Sequence, residues 1–439
     1  VKELDLHMRE GRNLVVRWLA PGKVSAKWNT WNLYRDIAWY GVLSGVSTTF
    51  TSIFALRLGA SNFLIGLLTS LPALLNVVFQ LPAARLIERQ RNSKRTILVA
   101  GFLMRFPVFL VALVPFFFRR FQAEAVVYIT ALGTIPGAVS NVAFTAMLAD
   151  VVPPQDRAHV VSVRNVLLSV VTTLAVIAAG KALDILPFPV SYQLIFLLAF
   201  LTSLLSLYYM GRIVIPDREP PRQEAVRSEH LDLRRSVQTI LAQRDYVRFT
   251  VASFLYHWGL YFPIPLYAIY KVRTLHISEG WIGALAMLES GVTIVAYYIW
   301  GRLAEKHGSL FVLLLGLLGV CFYPIGTALS SNVWPLLLVS FVAGIAAPAF
   351  NLGLFNGLLE VTPAARRATY LAIFNTLMNI PAFVSPILGT TMAGSLGIRM
   401  ALWIGGAARI AGFLAFAYLH GLHSSLPVTR FYRRARGGC

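Results

Sequence analysis

Residues 301–308 read GRLAEKHG, placing two cations, an acid and a histidine between two glycines in a chain that is 57% hydrophobic and only 13% charged. On either side lie apolar runs, near 281–301 and 310–330, each about long enough to cross a bilayer. A blurred version, ARLIERQR, stands at 84–91 between two more such runs, near 62–83 and 96–118. Lipid cannot hydrogen-bond a bare backbone, so a crossing segment must satisfy itself as a helix, and charge collects where water begins. A short charged turn between two long apolar runs is therefore the mark of a chain that leaves a membrane and re-enters it.

The rest of the chain follows the same plan. Further apolar runs fall near 33–57, 124–149, 160–183, 191–211, 247–270, 333–358, 368–394 and 400–420, making twelve expected spans with the four above. No segment shows the alternation of a membrane barrel, so the expectation is an all-α, polytopic membrane protein. The mean hydropathy of +0.65 agrees. The formal charge of +20 raises the question of nucleic acid, and its placement answers it. With the N-terminus inside, roughly 29 of the Lys and Arg residues fall in inner segments, roughly 7 in outer loops and three within helices, the bias of cytoplasmic loops. No segment between spans is large enough for a soluble domain, so no nucleic-acid partner is expected. Residues 1–32 lack the core and cleavage site of a signal peptide. They are expected to stay in the cytoplasm, with 6–19 either along the inner surface or solvated. Cys321 and Cys439 are not expected to meet in a disulfide.

The chain also resembles itself. At a shift of 217, Ala84-Arg85-Leu86 and Glu88-Arg89 fall on Gly301-Arg302-Leu303 and Glu305-Lys306. At a shift of 210, residues 141–165 align without a gap on 351–375, with Asn, acid, Val, Pro, Arg-Ala and a second Asn coinciding. Two matches in sequence order imply a parallel repeat of two six-helix bundles, 33–215 and 247–420. A Pro-rich, charged linker at 216–246 joins them, and a basic tail, 421–439, follows. Such repeats place a solute site between bundles near mid-membrane.

The stretch GRLAEKHG resembles the loop between the second and third helices of each half in the major facilitator superfamily, whose pattern is roughly G-x-L-A-[DE]-[RK]-x-G. The match runs through Gly301, Leu303, Ala304, Glu305, Lys306 and Gly308. The first copy keeps Leu86, Glu88 and Arg89 but has Ala84 and Arg91 at the glycine positions. The resemblance implies two six-helix bundles related by a pseudo-two-fold axis and a latch at the inner gate. Glycines suit a tight bend and close approach. Glu305 is expected against a helix N-terminus, Lys306 and Arg302 near Glu360, and Arg89 near Asp150. The other reading of these charges is that they anchor short loops to the cytoplasm.

Inside the spans, Glu289 is the one acid firmly within hydrocarbon, which makes it the leading candidate for proton coupling, against a neutral structural role. Arg105 and Arg409 lie mid-span and need partners, with Asp36 and Glu289 both available on paper. Asp36 follows the start of the first span, where an acid ordinarily compensates a helix dipole, or else it faces an inner cavity. His257 is read evenly as a proton relay or solute ligand and as a core histidine bonded to a backbone carbonyl. Trp39, Tyr40, Trp258 and Tyr261 offer an aromatic lining. Asn141 and Asn351, repeated in both halves, suit either solute binding or interhelical bonds, the latter better, as do Asn165 and Asn375. Asn356 and Asn379 have no Asn at their counterparts and suit solute better. Pro136, Pro348, Pro381 and Pro386 are expected flexing points.

These features point to a secondary active transporter, proton-coupled and working by alternating access in the cytoplasmic membrane on a small organic solute, an amphipathic one among the candidates. Both termini are expected inside, and the chain to act as a monomer. The competing class is a non-transporting membrane protein of the same fold that binds a lipid, pigment or partner subunit. Enzymatic chemistry is not expected: there is no G-x-x-x-x-G-K-[ST] phosphate loop, no cluster with metal-ligand spacing, and no cofactor is called for.

Overall fold

A computed structural model of the chain describes residues 21–88, 90, 93–153, 156–216, 243–363 and 367–421, all of them helix or short connection. The helices are α1 (Pro21–Arg57), α2 (Asn62–Glu88), α3 (Lys94–Phe117), α4 (Gln122–Val151), α5 (Arg157–Ile185) and α6 (Val190–Gly211). After the linker come α7 (Arg244–Tyr261), α8 (Ile264–Ile269), a π-helical turn (Tyr270–Thr274), α9 (Glu279–His307), α10 (Ser309–Leu329), α11 (Val333–Val361), α12 (Arg367–Leu396) and α13 (Ile398–Gly421). Among the described residues, ten helices are long and apolar enough to cross a membrane. The two expected spans outside that set have visible reasons. Along α1, Ser44, Ser47, Thr48, Thr49, Thr51 and Ser52 dilute the apolar run. The seventh span is broken after Tyr261.

By contact the chain divides into two compact units. One holds the described residues up to Leu58 and from Leu75 to 216; the other holds Gly59–Leu74 and the described residues from 243 onward. The first part of α2, to Leu74, is thus grouped with the second unit. There Arg273 donates to Asn62 Oδ1 at 2.6 Å and to the Ala60 carbonyl. The first unit has a buried core that includes Leu33, Ile87, Ile97, Met147 and Ile213. The second is built on aromatics, among them Phe249, Tyr256, Phe350, Phe374 and Phe416. Within it, α10 and α11 approach until backbone meets backbone. A Cβ on Gly316 would fall 2.3 Å from the Phe350 nitrogen, and one on Gly353 2.6 Å from the Leu313 Cα, so these two glycines admit no side chain.

The turn that opened the sequence now has its geometry. Helix α9 runs through Gly301 to His307, and Gly308 alone turns the chain at φ 89°, ψ 157° before α10 begins at Ser309. That backbone region is essentially glycine's own, and other residues pay about 1–3 kcal/mol to enter it. Gly301, in contrast, is helical and a Cβ there would meet nothing within 4 Å, so the close approach expected of it is not made. Gly308→Ala is therefore expected to lower the melting temperature of the purified protein, while Gly301→Ala leaves it unchanged or slightly raised. Equal behaviour of the two variants in a thermal melt would refute this assignment.

Helix seven breaks for a local reason. Pro263 has no N–H to give the Gly259 carbonyl, and its ring displaces that carbonyl. Arg409 of α13 takes over: Nε donates to Gly259 O at 3.0 Å, Nη2 to Leu260 O at 2.8 Å and Nη1 to Val320 O at 2.7 Å. The partner expected for this mid-span arginine was an acid, and the structure supplies three carbonyls instead. The prolines expected to flex, Pro136, Pro348, Pro381 and Pro386, sit inside helices that run on without interruption.

Candidate functional site

The first unit buries a charged group, and the second holds a half-buried acid and lysine. In the first unit the centre is Asp36. Because α1 begins at Pro21, Asp36 lies four turns inside the helix rather than at its start, so dipole compensation is not its role. It is 2% exposed. Its Oδ1 accepts from Ser206 Oγ at 2.7 Å, and Ser206 Oγ in turn accepts from Arg105 Nη2 at 2.8 Å. Its Oδ2 faces Arg164 Nη2 at 3.5 Å, an ion pair too long for a good hydrogen bond. Four helices thus meet at one acid: α1, α3, α5 and α6. Arg105 also donates to Gly101 O at 2.7 Å and lies 5.2 Å above the Tyr40 ring, while Arg164 lies 4.3 Å above the Phe144 ring. Tyr40 is at one end of a cavity of about 230 Å³, lined also by Ser44, Ser47, Thr48, Thr51, Thr130 and Thr134.

In the second unit the centre is Glu289 on α9. It interacts electrostatically with Lys271, which the π-helical turn carries in from the end of the broken helix. The charges of Glu289 also bear on Tyr267 and Tyr323, whose rings meet edge to face with centroids 4.4 Å apart. His257 is 4% exposed, its Nδ1 is 2.6 Å from Ser253 O, and the rings of Tyr256, Tyr261 and Phe350 surround it. That is the arrangement of the core histidine of the second reading. Trp258 is half-buried against Phe254, and Trp39 is exposed.

The asparagines expected to bond between helices do not. Asn141, Asn351, Asn165 and Asn375 are all exposed, and among the described residues none makes an interhelical side-chain bond. Asn379, favoured for solute, returns its Nδ2 to Asn375 O at 2.9 Å along its own helix, and Asn356 is half-buried.

The charged turns are open to solvent where they are described. Arg302 stacks on Tyr298 at 4.4 Å from the ring centroid, and Glu305, Lys306 and Glu360 are exposed. Among the described residues no ion pair joins Glu360 to Arg302 or Lys306. Asp150 is half-buried; Arg89 lies outside the described residues, as does the side chain of Glu88. Arg157 closes the turn after α4 by donating to the Val152 and Ala149 carbonyls.

Sequence reasoning did not single out Arg164 or Ser206. The signal for Arg164 was present, a cation inside the apolar span near 160–183, the same sign that marked Arg105. Ser206 had none, since a serine in a membrane helix usually bonds its own backbone.

A polytopic helical bundle built twice, with a charge group inside each copy, is the class these observations define. The family model that matches is the Major Facilitator Superfamily, over residues 38–248 and again over 249–434. The chain belongs to this superfamily. Among curated relatives, it is 24% identical over 168 residues to the uncharacterized MFS-type transporter YqjV of Bacillus subtilis (strain 168), covering 38% of each chain. It is 29% identical over 107 residues to the class H tetracycline resistance protein of Pasteurella multocida, covering 24% of this chain and 26% of that one. The matches thus span well under half of these relatives. In fold the chain is similar to a bacterial homolog of the human lysosomal transporter Spinster, with TM-score 0.69 at 13% identity over 90% of this chain and 97% of the other. It is similar also to the nucleoside transporter NupG, with TM-score 0.68 at 14% identity over 89% and 99%.

Proposed function

We propose that this chain is a secondary active transporter that carries a small organic solute across the cytoplasmic membrane by alternating access, coupled to protons. Membership of the superfamily supports transport. The observation that carries proton coupling is Glu289, an acid in a membrane helix on whose charge Lys271 of the π-helical turn bears. A carboxylate at that depth is held either by its cation or by a proton, and exchanging one for the other is the elementary step of a proton-coupled cycle. The hydroxyl-bearing cavity of the first unit supports a polar solute, and Trp39, Tyr40, Trp258 and Tyr261 are proposed to offer it apolar contact. The exposed charges Arg302, Glu305, Lys306 and Glu360, with Glu88, Arg89 and Asp150 of the first copy, are proposed to clasp the inner mouth in the state where it is shut. Both termini are placed inside by the bias of the basic residues, and a monomer is sufficient for the cycle.

The test is reconstitution into proteoliposomes with an imposed pH gradient, using labelled organic solutes that protect the purified protein from heat. Glu289→Gln is expected to abolish gradient-driven accumulation while leaving counterflow exchange intact. Undiminished accumulation in that variant would remove Glu289 from the mechanism.

A further inference from the structure

Two guanidiniums and one carboxylate share the interior of the first unit. Asp36, Arg105 and Arg164 are 2%, 3% and 7% exposed. Among the described residues, Asp36 is the one acid whose charge bears on either arginine. Arginine does not shed its proton in a protein, so the group carries an excess of one positive charge. Buried charge without a counter-charge is strongly unfavourable, and evolution retains it where something else supplies the balance.

The shortfall has a place. Arg164 Nη1 and Arg105 Nε are buried without a hydrogen-bond partner. Arg164 reaches Asp36 only through Nη2 at 3.5 Å, with the Phe144 ring holding its flat face. Asp36 gives its better bond to Ser206. Arg164 is thus positioned by an acid that does not saturate it. One turn along α1 from Asp36, Tyr40 carries Arg105 on its ring and lines the neighbouring cavity together with Ser44, Ser47, Thr48, Thr51, Thr130 and Thr134.

We propose that this group binds the anionic end of a small monoanionic solute, a carboxylate that pairs with Arg164 and Arg105 while the hydroxyls of the cavity receive the rest of the molecule. Guanidinium is the natural partner, since its planar fork matches carboxylate geometry. Asp36 is then a resident competitor that holds Arg164 in place when the anion is absent and yields it when the anion arrives. The inference rests on the transporter reading only in calling the anion cargo.

The experiment uses the full chain purified in neutral detergent at fixed ionic strength. Its probes are pairs that differ chiefly in charge: lactate against lactamide, gluconate against glucose, benzoate against benzamide. Thermal shift is expected to favour the acid in at least one pair. Asp36→Asn, which removes the competitor and keeps an acceptor for Ser206, is expected to tighten that acid by about tenfold. Arg164→Gln is expected to weaken it by about tenfold or more. A purely structural ion pair predicts no gain from Asp36→Asn, so a gain separates the two roles. Should Arg164→Gln fail to fold, the double variant D36N/R164Q leaves Arg105 as the remaining charge of the group and is expected to bind the acid about tenfold more weakly than Asp36→Asn does. The proposal is overturned if no acid outdoes its neutral mate, if Asp36→Asn gives no gain, or if only phosphatidylglycerol added to the micelles stabilises through Arg164. Acids that bind but never exchange across proteoliposomes would leave the anion site standing and defeat transport. Exchange of neutral probes, as fast as acids and indifferent to Arg164→Gln, would do the reverse.

Discussion

Arg409→Met is expected to lose folded protein on a scale that few single substitutions reach. The side chain is 3% exposed and gives three hydrogen bonds to main-chain carbonyls, two of them on the stretch that Pro263 interrupts. Methionine fills much of the volume and gives none. Each buried acceptor left unpaired costs about 1–3 kcal/mol, so the loss should exceed about 3 kcal/mol even with some relaxation. The mechanism predicts its own rescue. Pro263→Ala restores an N–H that can close onto Gly259 O, and the P263A/R409M double variant should recover part of the loss that R409M shows alone. Thermal unfolding in detergent across the four members of that cycle is the measurement. Additive losses in the double variant would mean that Arg409 acts elsewhere than at the proline break.

Asp36→Leu is the second large effect. Among the described residues it removes the one carboxylate whose charge bears on Arg105 and Arg164, leaves Ser206 without its acceptor, and buries two guanidiniums together. Breaking a buried pair by deleting one partner typically costs about 3–5 kcal/mol, because the charge left behind has nothing to balance it. Asp36→Asn keeps the acceptor and should cost less, with the deficit made up when a carboxylate is supplied. Melting temperatures of the two variants with and without lactate, gluconate and benzoate read both effects at once. If Asp36→Leu melts with the wild type, the cluster is not what holds α1, α3, α5 and α6 at this depth.

How much of this was legible beforehand depends on the range of the interaction. The repeated charged turn, the long apolar runs and the bias of Lys and Arg are properties of contiguous sequence, and they carried the family and the helical architecture. Gly308 was legible for the same reason, since a turn of one residue needs a residue free of Cβ. Gly301 was misread because a motif glycine can be helical with open space beside it. Asp36 was misplaced because α1 starts at Pro21, where Lys23 and Lys27 interrupt the apolar pattern, so the helix appeared to begin at the membrane face. The repeated asparagines marked common ancestry of the halves, and coincidence in a repeat says nothing about what a side chain touches. Asp36 with Arg164 and Ser206, and Arg409 with the proline break, join residues more than a hundred positions apart in the chain. Charge inside an apolar span announced that partners must exist; only the packing of helices chose them.

The proposed cycle makes one demand that needs no knowledge of the solute: the two mouths must open in turn. In a background with Cys321→Ser and Cys439→Ser, spin labels at Arg119→Cys and Asn332→Cys report the outer side, and labels at Asp156→Cys and His307→Cys the inner. Electron-resonance distances in lipid, taken in mildly acid and mildly alkaline buffer, should show two populations for each pair, with the outer pair lengthening as the inner one shortens. A single distance at both ends under every condition, or both pairs lengthening together, would contradict alternating access.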